Sequence, residues 1–278
     1  MLHRFLFFEI TKKHNSGKTF GNFQILVLIF LKISMLGSAF FIEKEQFLIL
    51  LFLSIIVILY GNFQFSQAII SQDTLESIKK YQPLKIKDIK DFFQHPSFSM
   101  FVIDGVFLYL ESFFWVVTLY LVAGESFASV ALLIIALSLI FGAIHWKIKS
   151  ILDTIPYQKL FLFLVALYAF SWILRSMVLE IESLSLLALL LIFIAFSTIL
   201  FRLTLNKRFY DNARSQSGQQ YMIMKSYITQ ASLSVFFLIL GYIAMQSTNN
   251  ISALNIFYLG AAPLAIMYMK YPGYDGEK

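Results

Sequence analysis

The sequence predicts an all-α, polytopic membrane protein with eight transmembrane helices, and three observations predict it. Hydrophobic residues make up 59% of the 278-residue chain and charged residues only 14%, against roughly a quarter charged in ordinary globular domains. The charges cluster between apolar runs of about 20 residues, the length that crosses ~30 Å of hydrocarbon. Basic loops then alternate along the chain with nearly bare ones.

In chain order the predicted spans are Phe20 to Phe41, Phe47 to Ile70, Ser99 to Ala123, Phe127 to His145, Leu160 to Leu179, Leu184 to Leu203, Ser226 to Met245 and Ile251 to Met269. Each should be a helix. A lone strand in lipid leaves its backbone groups unpaired, and the alternating pattern of a barrel is missing. Arg4, Lys12, Lys13 and Lys18 precede the first span, and Lys79, Lys80, Lys85, Lys87 and Lys90 follow the second. Lys147, Lys149 and Lys159 follow the fourth, Lys207, Arg208 and Arg214 the sixth, and Lys270 and Lys278 the last. The intervening turns hold Lys44, nothing, Arg175 at a helix end, and nothing. By the positive-inside rule both termini then face the cytoplasm, in a cell membrane crossed several times.

This organisation gives a cytoplasmic N-terminal segment over 1–19, two spans over 20–70, a cytoplasmic linker over 71–98, six spans over 99–269 and a tail over 270–278. The N-terminal "MLHRFLFFEITKKHNSGKTF" has too short an apolar run for a secretory signal and reads as the cytoplasmic end of a helix or an interfacial anchor. The linker, broken by Pro83, reads as a headgroup-hugging or plainly solvated connection.

Several function classes are excluded at this level. Cysteine is absent, so no disulfide framework or Cys-based metal site is expected. The net charge of +6 accompanies 31 Phe and 14 Tyr without basic-aromatic interleaving on a soluble face. Anionic headgroups explain it better than nucleic acid. His3, His14, His95 and His145 are scattered, with no metal-ligand spacing and no nucleophile beside them. Ser16-Gly17-Lys18 lacks the upstream glycine of a phosphate loop. Neither an enzyme nor a cofactor is expected.

Two polar stretches are alike. "FFEITKKHNSGKTFGNFQ" from Phe7 and "RFYDNARSQSGQQYMIMK" from Arg208 match at Phe8-Glu9 with Tyr210-Asp211, Lys13 with Arg214, Ser16-Gly17 with Ser217-Gly218 and Phe20 with Tyr221. Each precedes a pair of spans. With the long linker, this duplication resembles the major facilitator superfamily, built from two six-helix halves joined on the cytoplasmic side. The resemblance implies that the six later spans are a second half and the two earlier ones the end of a first half, whose first four helices lie outside this chain. The family's loop signature is degenerate here: "GAIHWKIK" keeps Gly142, Lys147 and Lys149 but has Trp146 where an acid is expected.

Within the third span, "SFSMFVIDGVFLYLESFFWVVTLYLVA" carries Asp104 and Glu111. Seven residues apart, they share one helix face at roughly 10 Å along the axis, with Phe101, Leu108, Trp115 and Thr118. A charged acid at the bilayer centre costs ~2.5 to 3.5 kcal/mol, so both should face the bundle interior. Glu111, nearer the middle, is the expected proton-coupling or substrate residue, with Asp104 second. Trp115, Thr118 and Gln230 are candidate cavity-lining residues, Gln230 equally a helix-pairing group. Lys32 reads as the one basic residue deep in a span, and Asp104 or Glu111 is its expected charge partner, whether as a gate or a static pair. The expected function is secondary active transport of a small organic solute coupled to protons, by alternating access. The alternative is a shortened chain without transport activity, a structural partner or an inactive remnant.

Overall fold

The computed structural model describes residues 16–69, 91–152, 157–215, 218–246, 250–271 and 273; among these, side chains are described except at 16–29, 65, 68–69, 140–152, 157, 214–215, 219, 244–246 and 250–253. The predicted N-terminal segment up to residue 15, the linker over 71–90, most of the tail, His3, His14 and the first copy of the duplicated stretch up to residue 15 lie outside the described residues. So do the side chains of "GAIHWKIK".

Among the described residues the chain is all-helical, with 91% in helix and no strand. A helix occupies each of the eight predicted intervals. The elements are α1 (Ser16–Glu43), α2 (Phe47–Ile69), α3 (Phe98–Tyr109), α4 (Trp115–Val122), α5 (Phe127–Leu152), α6 (Tyr157–Met177), α7 (Leu184–Ser215), α8 (Gly218–Gln246) and α9 (Asn250–Ile266). Five stretches are long and apolar enough to cross a membrane: Phe47–Gln64, Phe98–Val122, Gln158–Glu180, Leu184–Ala213 and Gln220–Ile243. Phe127–Leu139 and Leu254–Lys270 are shorter apolar runs. These helices make the chain a membrane-embedded protein.

The third predicted span is one rod with a defect. Between α3 and α4, Leu110–Phe114 winds as a π-helical turn, and the Trp115 N–H reaches back to the Leu110 carbonyl. Three other helices overrun their predicted ends, α5 by continuing beyond His145 to Leu152. α7 continues beyond Leu203 to Ser215, and α8 starts at Gly218, ahead of Ser226. The charges that lower local hydropathy there do not oppose helix formation. Arg208 is buried, its guanidinium 4.4 Å from the Phe161 ring and its Nη1 donating to Gln158 Oε1 at 2.9 Å.

The chain divides into two compact units, 1–86 with 123–135 and 87–122 with 136–278. In the first, α1 packs along α2. Glu43, at the end of α1, accepts hydrogen bonds from the Ser126 hydroxyl at 2.7 Å and the Ala128 N–H at 2.9 Å, capping the start of α5. Gly124 (φ +69°) and Glu125 (φ +59°) make the preceding tight turn in the left-handed region.

In the second unit α6 lies between α7 and α9, and α3 lies along α8. Its core is aromatic, built on Phe107, Tyr168, Trp172, Phe201, Tyr258 and Tyr268. The Tyr168 and Phe201 rings stack at 4.1 Å. Polar tips on large apolar bodies suit such an interior, because each hydroxyl finds a partner while the ring fills space.

Candidate functional site

The site begins with a close approach of two helices in the second unit. Gly105 has no side chain, and a Cβ there would come within 2.5 Å of the Thr229 carbonyl oxygen. The Thr229 hydroxyl donates to the Phe101 carbonyl at 3.1 Å and the Ser232 hydroxyl to the Val102 carbonyl at 2.6 Å. Small residues allow this contact and hydroxyls lock it, as is common where helices meet in lipid. The register brings Lys225 of α8 against Asp104 of α3, Nζ to Oδ2 at 3.2 Å.

Asp104 holds a second cation. Arg202 Nη1 donates to Asp104 Oδ1 at 2.5 Å, while Arg202 Nε donates to Glu111 Oε2 at 2.9 Å. One planar guanidinium therefore spans both acids, a geometry that a lysine ammonium cannot reproduce. The Tyr168 hydroxyl donates to Glu111 Oε1. Tyr268 reaches Asp104 Oδ1 at 3.4 Å.

Glu111 lies inside the π-helical turn. Such turns add a residue without breaking the helix, so they redirect one side chain, and they recur at functional sites. The Phe114 carbonyl at the end of this turn also accepts from the hydroxyls of Thr118 at 3.1 Å and Tyr258 at 2.9 Å.

Further along α6, Arg175 is fully buried. Its Nη1 donates to the Ser171 hydroxyl at 3.1 Å and its Nη2 to the Thr198 hydroxyl at 2.6 Å. The guanidinium sits 4.0 Å from the Trp172 ring and 5.0 Å from the Trp115 ring. At the other end of the network a cavity of about 10 Å³, room for about one water, lies beside Asp104, Lys225 and Tyr271.

The sequence-predicted residues fall in different places. Asp104 and Glu111 share a face and turn inward, joined through Arg202. Trp115 stands over Arg175, and Thr118 is buried with its hydroxyl 2.5 Å from that of Tyr258. Leu108 is exposed although it lies one helical turn after Asp104, and Gln230 is exposed too; the buried neighbour of Gln230 is Thr229. Lys32 is half-buried and belongs to the first unit. It is not alone as a basic residue at depth, since Arg175, Arg202 and Lys225 all lie within membrane-length apolar stretches. The carboxylates find their cations in Arg202 and Lys225.

Arg202, one residue before the end of the predicted sixth span, and Lys225, one residue before the start of the seventh, both read from hydropathy as span-end charges. The available signal is local: Arg202 is bracketed by Leu200, Phe201, Leu203 and Leu205, and Lys225 follows Met222, Ile223 and Met224. Tyr168 looks like an ordinary aromatic until Glu111 is placed beside it.

Among the described residues no three His, Asp or Glu side chains converge as metal ligands. His95 accepts the Ser97 N–H at its Nδ1 at 3.1 Å and stacks on Phe92 at 4.7 Å, and burial lowers its pKa, so it is a packing histidine.

Comparison of the chain with protein-family models, with curated proteins and with solved structures gives no match.

Proposed function

We propose that the chain is a secondary transporter of a small organic solute, coupled to protons, with eight spans in the cytoplasmic membrane and a bundle of the major facilitator type. The observation that carries this reading is the network of Lys225, Asp104, Arg202 and Glu111, four charges inside membrane-length helices. A bundle that only needs to hold together does so with apolar packing and small residues, while buried ion pairs give little net stability. Charges at such depth mark ion and solute paths far more often than they mark scaffolding.

The network suits coupling because its donors and acceptors are matched. Both Glu111 oxygens accept hydrogen bonds, one from Tyr168 and one from Arg202. A proton arriving on Glu111 removes the negative charge that holds Arg202. Release of Arg202 leaves it on Asp104 alone and loosens the tie between α7 and the π-helical turn, so proton binding and helix arrangement are linked. Glu111 is the proton carrier, Arg202 the cation it exchanges with, and Asp104 the anchor that retains Arg202 between states.

A second reading is a membrane-embedded structural partner without transport activity. One observation favours it: the stretch Phe47–Gln64 buries none of its residues, which leaves an apolar helix for lipid or for partner helices. Reconstitution separates the two. Purified chain in sealed proteoliposomes should move solute in response to a pH gradient if it is a transporter; proteoliposomes indistinguishable from protein-free vesicles would favour the structural role.

A further inference from the structure

The second unit holds a buried arginine outside the ion-pair network. Asp104 and Glu111 are matched by Arg202 and Lys225 through the ion pairs described above. Arg175 is left over. It is 1% exposed, and among the described residues no carboxylate forms an ion pair with it within 4.0 Å. Its two hydrogen-bond partners, Ser171 and Thr198, are neutral hydroxyls. Among the described residues its Nε–H has no acceptor, and neither has the Nε1–H of Trp172, on which it stacks.

An unpaired buried charge is among the costlier features a membrane interior can hold, and two indole faces offset only part of it. Water would satisfy the two idle donors but bring no charge. An anion would do both. The guanidinium edge offers a fork matched to an oxyanion, with the indole N–H as a further donor.

We propose that Arg175, with Trp172, binds the anionic group of the transported solute, an oxyanion such as a carboxylate or phosphate. This rests on the transport reading and names its substrate class. Arg175 follows Tyr168 by seven residues on α6, so the anion sits roughly 10 Å along the axis from the residue that donates to Glu111. A negative charge there repels the Glu111 carboxylate, and a neutral Glu111 removes that repulsion. Anion binding and proton uptake then favour each other, which is the thermodynamic requirement for carrying both in one direction.

The test uses the full chain in lipid nanodiscs with Trp146→Phe, leaving Trp115 and Trp172, the two rings beside Arg175, as reporters. Sodium succinate and sodium phosphate are titrated against glucose and against sodium chloride at matched ionic strength. The expected result is a saturable change in tryptophan emission with at least one oxyanion and with neither control. Arg175→Gln should weaken it at least ten-fold, and Lys159→Gln, an exposed cation, should leave it unchanged. Because Arg175→Gln can also harm folding, the thermal midpoint of the unmutated protein is followed as well; it should rise with the same oxyanion and not with the controls. No saturable response to either oxyanion, no rise in midpoint, or an equal response in a folded Arg175→Gln overturns the proposal. Oxyanion binding without flux would sink the transport reading and keep the site, whereas flux without an oxyanion response would sink the site alone.

Discussion

Arg202 bonds to Asp104 and Glu111 at once, Nη1 on one carboxylate at 2.5 Å and Nε on the other at 2.9 Å, and among the described residues it alone touches both. Removing it leaves Glu111 with only the Tyr168 hydroxyl and Asp104 with only Lys225 as a cation. Breaking a buried pair from one side typically costs about 3 to 5 kcal/mol, and Arg202→Gln should fall near the lower end because its side chain is 22% exposed. Adding Glu111→Gln to Arg202→Gln should recover part of the loss, since the second change removes the stranded charge. Thermal unfolding of the two single variants and the double variant in detergent checks this. Strictly additive losses would mean that the two residues do not interact.

Gly105 and Gly241 make a matched comparison inside apolar helices. A Cβ on Gly105 meets the Thr229 carbonyl oxygen at 2.5 Å, a backbone atom that cannot swing away, whereas nothing lies within 4 Å of a Cβ on Gly241. Gly105→Ala should therefore destabilise by about 1 to 3 kcal/mol through overpacking and push Lys225 away from Asp104. Gly241→Ala should be neutral or stabilising by up to about 1 kcal/mol, the helix-propensity difference. Unfolding midpoints of the pair decide it, and equal midpoints would contradict the close approach of α3 to α8.

Much of the helical plan is legible in the sequence, and the reason is physical. Apolar runs bounded by Lys clusters report a solvent boundary, which is a one-dimensional property of the chain, and a helix stands in each of the eight predicted intervals. The π-helical turn at Leu110–Phe114 is not legible, because "LESFF" has no residue that α-helix disfavours strongly. The acids at Asp104 and Glu111 stand out because charge in an apolar run is rare. Their partners do not, because Arg202 and Lys225 sit where hydropathy already falls and only tertiary contact shows that they turn inward. Lys32 stands out for the same reason as the acids, yet depth along a helix does not say which charge it meets.

Glu43 ties the start of α5 to the end of α1 within the first unit, accepting from Ser126 and the Ala128 N–H, and those bonds hold its carboxyl below the usual carboxylate range. A depressed folded-state pKa means that the cap is fully present above the ordinary carboxylate pKa of ~4.3 and fades as pH falls through the lower folded value. Protection of the Ala128 amide from hydrogen exchange, corrected for intrinsic rate, should thus hold from neutral pH to mildly acid pH and drop below it. In Glu43→Gln the drop should vanish. A pH-dependent loss of protection that persists in Glu43→Gln would assign it to another group.

The loop charges predict sidedness. Single cysteines at Glu125 and at Lys159 should react with a membrane-impermeant maleimide from opposite faces, Glu125 from outside and Lys159 from the cytoplasm. Intact and inverted vesicles report the two faces separately. Labelling of both positions from one face would mean that α5 does not cross.

The central claim is that Glu111 carries the proton, and it is tested by solute-evoked proton movement. Purified protein is reconstituted with a pH dye trapped inside, and succinate, phosphate, alanine and glucose are added in turn. The unmutated chain should acidify the lumen with at least one of them. Glu111→Gln should keep the fold, because the amide fills the same space and still pairs with Tyr168 and Arg202, and it should abolish the acidification while exchange of solute down its gradient persists. Acidification by Glu111→Gln equal to that of the unmutated chain, or no acidification by the unmutated chain with any of the four, would contradict the claim.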